Sequence, residues 1–118
     1  MATIELLRND PKVQSVAAGE TIFSVGDTGR LAYVVTEGDV ELELHGRLLE
    51  TVGSGGIFGE MALIDDHERS ANARARTEAK IVPIDQKRFL YLVQNTPFFA
   101  IEVMIVMADR LRRMDEAV

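Results

Sequence analysis

Apolar and polar positions change their period once along this chain, near Asp85. From Val13 to Asp85, short apolar runs are separated by turn formers at Gly19-Glu20, Gly26-Asp27, Gly29, Gly38-Asp39 and Gly53 to Gly56. Turn signals recurring at intervals of about 8–12 residues predict an all-β sandwich or barrel. Within it, Val40-Glu41-Leu42-Glu43-Leu44 alternates, apolar inward and charge outward. Ala71 to Arg76 alternates as well, with alanine on one face, so small inward residues leave room inside the barrel. Leu31-Ala32-Tyr33-Val34-Val35 reads as a short buried strand. Pro83, inside Ile81 to Ile84, predicts an edge strand, because proline gives the ladder no donor.

Helical spacing brackets this region. Ile4, Leu6 and Leu7 predict a short leading helix, stopped by Asn9-Asp10-Pro11. After Asp85, a good N-cap, Phe89, Leu92 and Val93 recur at helical spacing. Thr96-Pro97 reads as an N-cap followed by proline at the first helical position, opening a last helix from Pro97 to about Asp115. Phe98, Ile101, Met104, Ile105, Ala108 and Leu111 make one apolar stripe, while Val103, Val106 and Met107 extend onto the other face. A helix apolar nearly all round needs cover on two sides. One side can pack on the barrel; the other calls for a partner chain, a missing domain or a lid role.

The fold class is therefore mainly β with flanking helices: an antiparallel β-roll of jelly-roll type, a short N-terminal helix and two C-terminal helices. Residues 1–12 form the lead, 13–85 the roll and 86–118 the helices, in one domain, the default for 118 residues. Composition narrows the function. With 13 Lys+Arg against 19 Asp+Glu, the net charge of −6 argues against nucleic acid as a direct partner. The absence of cysteine excludes disulfides and thiolate metal sites and fits a reducing compartment. The N-terminus lacks the pattern of a signal peptide, and no apolar run is long enough to span a bilayer, so a cytoplasmic location is expected.

The candidate chemistry lies in 55–71, GGIFGEMALIDDHERSA. Gly55, Gly56 and Gly59 allow positive φ and close backbone approach. Glu60 to Ile64 is a helix-forming string, and a glycine turn feeding a helix N-terminus offers free N–H groups to an anion. Arg69 can return to the same place with a planar fork suited to phosphate, and Ser70 adds a hydroxyl donor. A carboxylate beside an anion needs another task, such as accepting from a sugar hydroxyl, which Glu60 could do. Phosphate plus ribose in one short segment points to a nucleotide with a single compact phosphate. The alternative is an ordinary turn, with Arg69 paired on the surface to Glu60, Asp65, Asp66 or Glu68.

The run FGEMALIDDHERSANARA resembles the phosphate-binding cassette of cyclic-nucleotide-binding domains, found in bacterial catabolite activators, protein kinase A regulatory subunits and cyclic-nucleotide-gated channels. Phe58-Gly59-Glu60, Ala62-Leu63 and Arg69-Ser70-Ala71 match its pattern, and the resemblance extends through GETIFSVGDTG, YVVTEGDVEL and the final ADRLRRM. It implies that Arg69, Ser70 and backbone N–H groups around Gly59, Met61 and Ala62 hold the cyclic phosphate, and that Glu60 accepts from the ribose 2′-hydroxyl. It places the base against Leu42 and Leu49. It puts Arg110 where some relatives pair an arginine with the cassette glutamate, and Met114 and Asp115 where some contact the base edge. Ser70 after the arginine favours cAMP as the ligand, with cGMP the alternative, and Asn72 departs from the β-former common in relatives. The resemblance implies a regulatory sensor with no catalytic residues or catalytic cofactor, working through its C-terminal helices on an effector protein or a second copy. A degenerate member acting only as an interaction module is a second reading. A cupin-like metal enzyme is a third, weakened because only His45 and His67 are present.

Overall fold

The computed structural model describes residues 6–116, with side chains through Arg113. Eight strands form two four-stranded antiparallel sheets. In chain order they are β1 (Gln14–Val16), β2 (Thr21–Phe23), β3 (Ala32–Glu37), β4 (Val40–Leu44), β5 (Arg47–Val52), β6 (Ile57–Phe58), β7 (Asn72–Ala75) and β8 (Ala79–Ile84). One sheet runs β1-β8-β3-β6 and the other β2-β7-β4-β5, the jelly-roll arrangement expected from the turn spacing. A single 3-10 turn, Glu60–Leu63, interrupts the roll between β6 and β7. Helices α1 (Gln86–Asn95) and α2 (Phe98–Glu116) follow. Of the leading helix, only its end at Leu6 and Leu7 lies among the described residues; Ile4 lies outside them.

Two cores meet on the first sheet. Val35, Val40, Phe58, Ala73, Ala75 and Ile81 fill the space between the sheets. Ala32, Val34, Ile57, Val82 and Ile84 face the other way, against Leu7, Leu92, Phe99 and Val103. Strands β3 and β8 are thus covered on both faces, which is why they read as continuous apolar runs rather than alternating ones. Alternation survives in β7, where Ala73 and Ala75 point inward beneath a polar outer face.

Pro83 does not mark an edge strand. β8 lies between β1 and β3, and Pro83 sits opposite Tyr33 of β3. The proline is tolerated because β1 begins only at Gln14, opposite Ile81. On that side Pro83 lies beyond the end of the neighbouring strand, so the strand is central while the residue is locally at an edge.

The helices begin as the pattern predicts. Asp85 caps α1, its side chain accepting from the Arg88 amide at 2.7 Å. The Thr96 backbone carbonyl accepts from the Phe99 amide at 2.9 Å, and α2 starts at Phe98, one residue after Pro97. The face of α2 turned to the roll carries Phe99, Glu102 and Val103, then the half-buried Val106, Met107 and Arg110. The longer apolar stripe is the outward one, with Phe98, Ile101, Met104, Ile105 and Leu111 all exposed. Phe99 is the main anchor, its ring tilted at 54° against that of Phe89 with ring centres 5.7 Å apart. Truncating such a buried aromatic costs about 3–5 kcal/mol. The register it sets carries Arg110 round to the roll side, toward the 3-10 turn.

Candidate functional site: two arginines around a glycine-fed turn

Arg69 closes the loop that leaves the 3-10 turn, and its backbone is fixed before its side chain is. The Arg69 amide donates to the Asp27 carbonyl and its carbonyl accepts from the Gly26 amide, both at 2.8 Å. This two-bond bridge ties the loop to the turn after β2. Asn72 adds a second tie: its carbonyl oxygen accepts from the Val25 amide at 2.8 Å, and its amide donates to Glu43. The residue that departs from the usual β-former thus braces the strand entering from the cassette.

The Arg69 guanidinium is buried, only 9% of the residue remaining exposed. It lies 4.1 Å from the centre of the Phe23 ring. Nη2 donates to the Leu31 carbonyl at 2.7 Å and Nη1 to the Gly59 carbonyl at 3.4 Å, while Nε is buried without a partner. The slot is walled by glycine. A Cβ on Gly29 would stand 2.7 Å from Nη2 and 3.0 Å from Nε, and one on Gly59 would stand 2.9 Å from Nη1. Gly59, at φ 72, also supplies the left-handed backbone that starts the 3-10 turn. Burial pushes the Arg69 pKa down from its ordinary value, against the milder upward pull of Tyr33, Asp27 and Glu60. Among the described residues Arg69 makes no ion pair; Asp66 pairs with Arg30 at 3.8 Å and Asp65 with His67 at 3.5 Å instead. The surface pairing considered for Arg69 is therefore not the one this fold adopts.

Glu60 is the first residue of the turn and is 6% exposed. Its Oε1 accepts from Nη1 of Arg110 on α2. Arg110 in turn presents its Nε and Nη2 edge to Glu50 of β5, at 2.9 and 3.1 Å, and Nη2 also donates to the Ile57 carbonyl at 2.6 Å. Arg113 reaches the same Glu50 at 2.9 Å. Burial pulls the Arg110 pKa down, but the bonds and charges of Glu50 and Glu60 outweigh it and leave the group above its ordinary value.

The structure therefore brings Gly59, Glu60, Arg69 and Arg110 together around one turn. Of the cassette amides, that of Ala62 already donates to the Gly59 carbonyl at 3.2 Å. The Met61 side chain and Ser70 are exposed. Leu42 is half-buried against the inter-sheet core, whereas Leu49 is exposed. In the β4–β5 ladder Leu42 pairs with Glu50 and Glu43 with Leu48, so Leu49 is the unpaired extra residue of a bulge. The side chains of Met114 and Asp115 lie outside the described residues. His45 occupies a tight turn at φ 52, and among the described residues no group of three or more His, Cys, Asp or Glu is placed to hold a metal ion.

Sequence reasoning missed Glu50, Arg113, Phe23 and Gly29. Glu50 did carry a signal, as an acid set among Leu48, Leu49 and Val52 in a strand. Two clefts adjoin these residues. One of about 230 Å³ is lined by Glu50, Ile57, Val106 and Arg110 among others. Another of about 290 Å³ lies between Thr28, Gly29, Arg30 and Asp66, beside the Arg69 slot.

The model of the cyclic nucleotide-binding domain family matches residues 13–96. A cyclic AMP receptor protein of Thermus thermophilus is 37% identical over 102 residues, covering 82% of this chain and 47% of that protein. The crystal structure of the Thermus thermophilus catabolite activator protein superposes with a TM-score of 0.81 at 32% identity, over 98% of this chain and 57% of that one. A structure from a cyclic-GMP-dependent signalling pathway that regulates bacterial phytopathogenesis gives 0.77 at 27% identity, over 96% and 95% of the two chains. The chain thus spans about half the length of the curated relative it matches.

Proposed function

Because the chain belongs to the cyclic nucleotide-binding domain family, we propose that it is a ligand sensor that takes cAMP and passes the binding event to α2. The observation that carries this reading is the Arg69 slot: a buried cation that makes no ion pair among the described residues, with an unpartnered Nε, beside the opening of a 3-10 turn. A buried charge with no counterion is costly, and an anionic ligand is the partner that relieves it. The cyclic phosphate would take Arg69, Ser70 and the amides at the head of the turn. The ribose hydroxyl would take Glu60, and the base would lie toward β4 and β5. No step in this role makes or breaks a covalent bond, so the domain is read as regulatory rather than enzymatic.

The relay follows from Arg110. Its hydrogen bond to Glu60 links α2 directly to the carboxylate that would receive the sugar. A ligand that changes what Glu60 accepts changes how firmly α2 is held, and it can shift α2 only by its differential affinity for the two arrangements. The exposed stripe of Phe98, Ile101, Met104, Ile105 and Leu111 is the surface through which that shift would reach an effector or a second copy. No helix among the described residues is long and apolar enough to cross a membrane.

The identity with a cyclic AMP receptor protein and the Ser70 that follows the arginine support cAMP over cGMP. Calorimetry with both nucleotides, with sedimentation on the same samples, tests the reading. Binding of cAMP ahead of cGMP is expected, with a melting shift, since ligand at a hundred times its dissociation constant adds about 2.7 kcal/mol. Saturating nucleotide that gives neither heat nor a melting shift would leave only an interaction module.

A further inference from the structure

We infer that Glu50 is a positioning residue for the sugar side of the site: by holding Arg110 side-on, it limits Arg110 to one oxygen of Glu60 and keeps the other for a ligand hydroxyl. The inference rests on the proposed role of Glu60 and adds a residue to it.

The geometry of the fork carries the argument. A guanidinium has two edges that can grip a carboxylate bidentately, the Nε–Nη2 edge and the Nη1–Nη2 edge. Glu50 occupies the first, at 2.9 and 3.1 Å. Nη2 is further engaged by the Ile57 carbonyl at 2.6 Å. Nη1 alone is left for Glu60, and it reaches Oε1. Charge points the same way. Both Glu50 and Arg110 keep only 19% of their side-chain surface, so neither is well screened by water. Arg113 reaches Glu50 as well, so two acids and two arginines balance. With Glu50 removed, Arg110 has one acid partner left. It would turn its Nη1–Nη2 edge to Glu60, cover both oxygens, and compete with the incoming hydroxyl.

A purely structural Glu50 would weaken every ligand alike. A positioning Glu50 affects only ligands that carry the hydroxyl. The test is calorimetry on the parent, Glu50→Gln, Glu50→Ala and Glu60→Gln, with the cyclic nucleotide the parent binds and with its 2′-deoxy counterpart. Glu50→Gln keeps the side-chain volume, and melting curves of each variant report its fold. The parent should prefer the ribose form by about tenfold or more, the scale of one charge-assisted hydrogen bond. Glu50→Gln should narrow that preference and Glu50→Ala should nearly remove it, while affinity for the deoxy form stays within about twofold. An unchanged preference in both Glu50 variants, or an equal weakening of both ligands, overturns the inference. If Glu60→Gln alone removes the preference, the reading of Glu60 stands and the role of Glu50 falls. If the parent shows no preference, both fall together.

Discussion

Arg69, buried, and Arg110, half-buried, both bring a guanidinium to the same 3-10 turn, yet they are satisfied in opposite ways. Arg69 donates to two backbone carbonyls, lies against the Phe23 ring and leaves Nε unpartnered. Arg110 holds two carboxylates and a carbonyl. Burial lowers the pKa of the first, whereas acidic partners raise that of the second despite burial. Internally neutralised, Arg110 is an anchor; Arg69 is a charge kept in place by shape. Only the Arg69 arrangement has something to gain from an added anion. The contrast separates binding from transmission in a site where sequence shows simply two arginines.

The largest expected effect is on binding at Arg69. Arg69→Ala should weaken the cyclic nucleotide by at least about a hundredfold, since each lost charge-assisted hydrogen bond contributes about 1.5–3 kcal/mol. Arg69→Lys should recover only part of this, because the point charge lacks the fork. Ligand-free melting of Arg69→Ala should change little, within about 1 kcal/mol, because removing an unpaired buried charge offsets the two lost carbonyl bonds. Titration and melting on the same preparations check both arms. A variant that binds like the parent would end the assignment of Arg69.

Arg110→Ala should show the reverse profile, with stability affected first. Removing it takes from the buried Glu60 the arginine that satisfies it, while Glu50 keeps Arg113, at a cost of about 3 kcal/mol. Arg110 keeps its proton throughout the accessible range, its pKa being raised, so its own charge contributes equally at about pH 7 and about pH 5. Urea unfolding of parent and variant at neutral pH reads the deficit. A loss below about 1 kcal/mol, the scale of an exposed pair, would mean that Arg110 anchors nothing.

How much of this contrast could be read from sequence follows from what each feature depends on. The turn spacing, the Asp85 cap and the Gly59-Glu60…Arg69 segment are local, and local chemistry fixes them. Arg110 was placed near Glu60 by family resemblance, and the i, i+3, i+4 face of Phe99, Val103 and Val106 explains it physically. What escaped depends on pairing across the fold. Pro83 marked its whole strand as an edge because sequence does not reveal where β1 begins. The outward face of α2 is the richer apolar stripe, so hydrophobicity alone left open which side packs on the roll. Leu49 does not take its expected place because a bulge shifts the register of β5 by one residue. The expected base-facing Leu49 is exposed, and its neighbour Glu50 turns to the helix.

Gly29 offers a subtler way to sharpen the comparison, because it touches Arg69 and leaves Arg110 alone. Its backbone is not left-handed, so alanine meets no conformational penalty there. The added Cβ would stand 2.7 Å from Nη2 and displaces the guanidinium, the movable end of a flexible side chain. Gly29→Ala should therefore fold normally and lose roughly tenfold in nucleotide affinity, equal to about 1.4 kcal/mol. Unchanged affinity would show that the slot does not hold Arg69 where the phosphate needs it.

The smallest effect concerns a third arginine, Arg88 of α1, which pairs with Asp10 and so joins the leading segment to the helices. Asp10 is buried and Arg88 is partly open to water, an arrangement between the two extremes above. The hydrogen bond from Arg88 holds the Asp10 carboxyl below its ordinary value, against the opposing push of burial. A depressed acid contributes stability that is fully present above its unfolded pKa, about 3.9 for aspartate, and that is lost as pH falls through the lower folded value. Asp10→Asn should therefore cost about 1 kcal/mol near pH 7, the scale of a pair open to solvent on one side. It should cost nothing once the parent's own carboxyl is protonated, so the two unfolding curves should converge only in strong acid. Convergence already at pH 5 would mean that Arg88 does not hold the proton off Asp10, and that this arginine, unlike Arg110, anchors nothing.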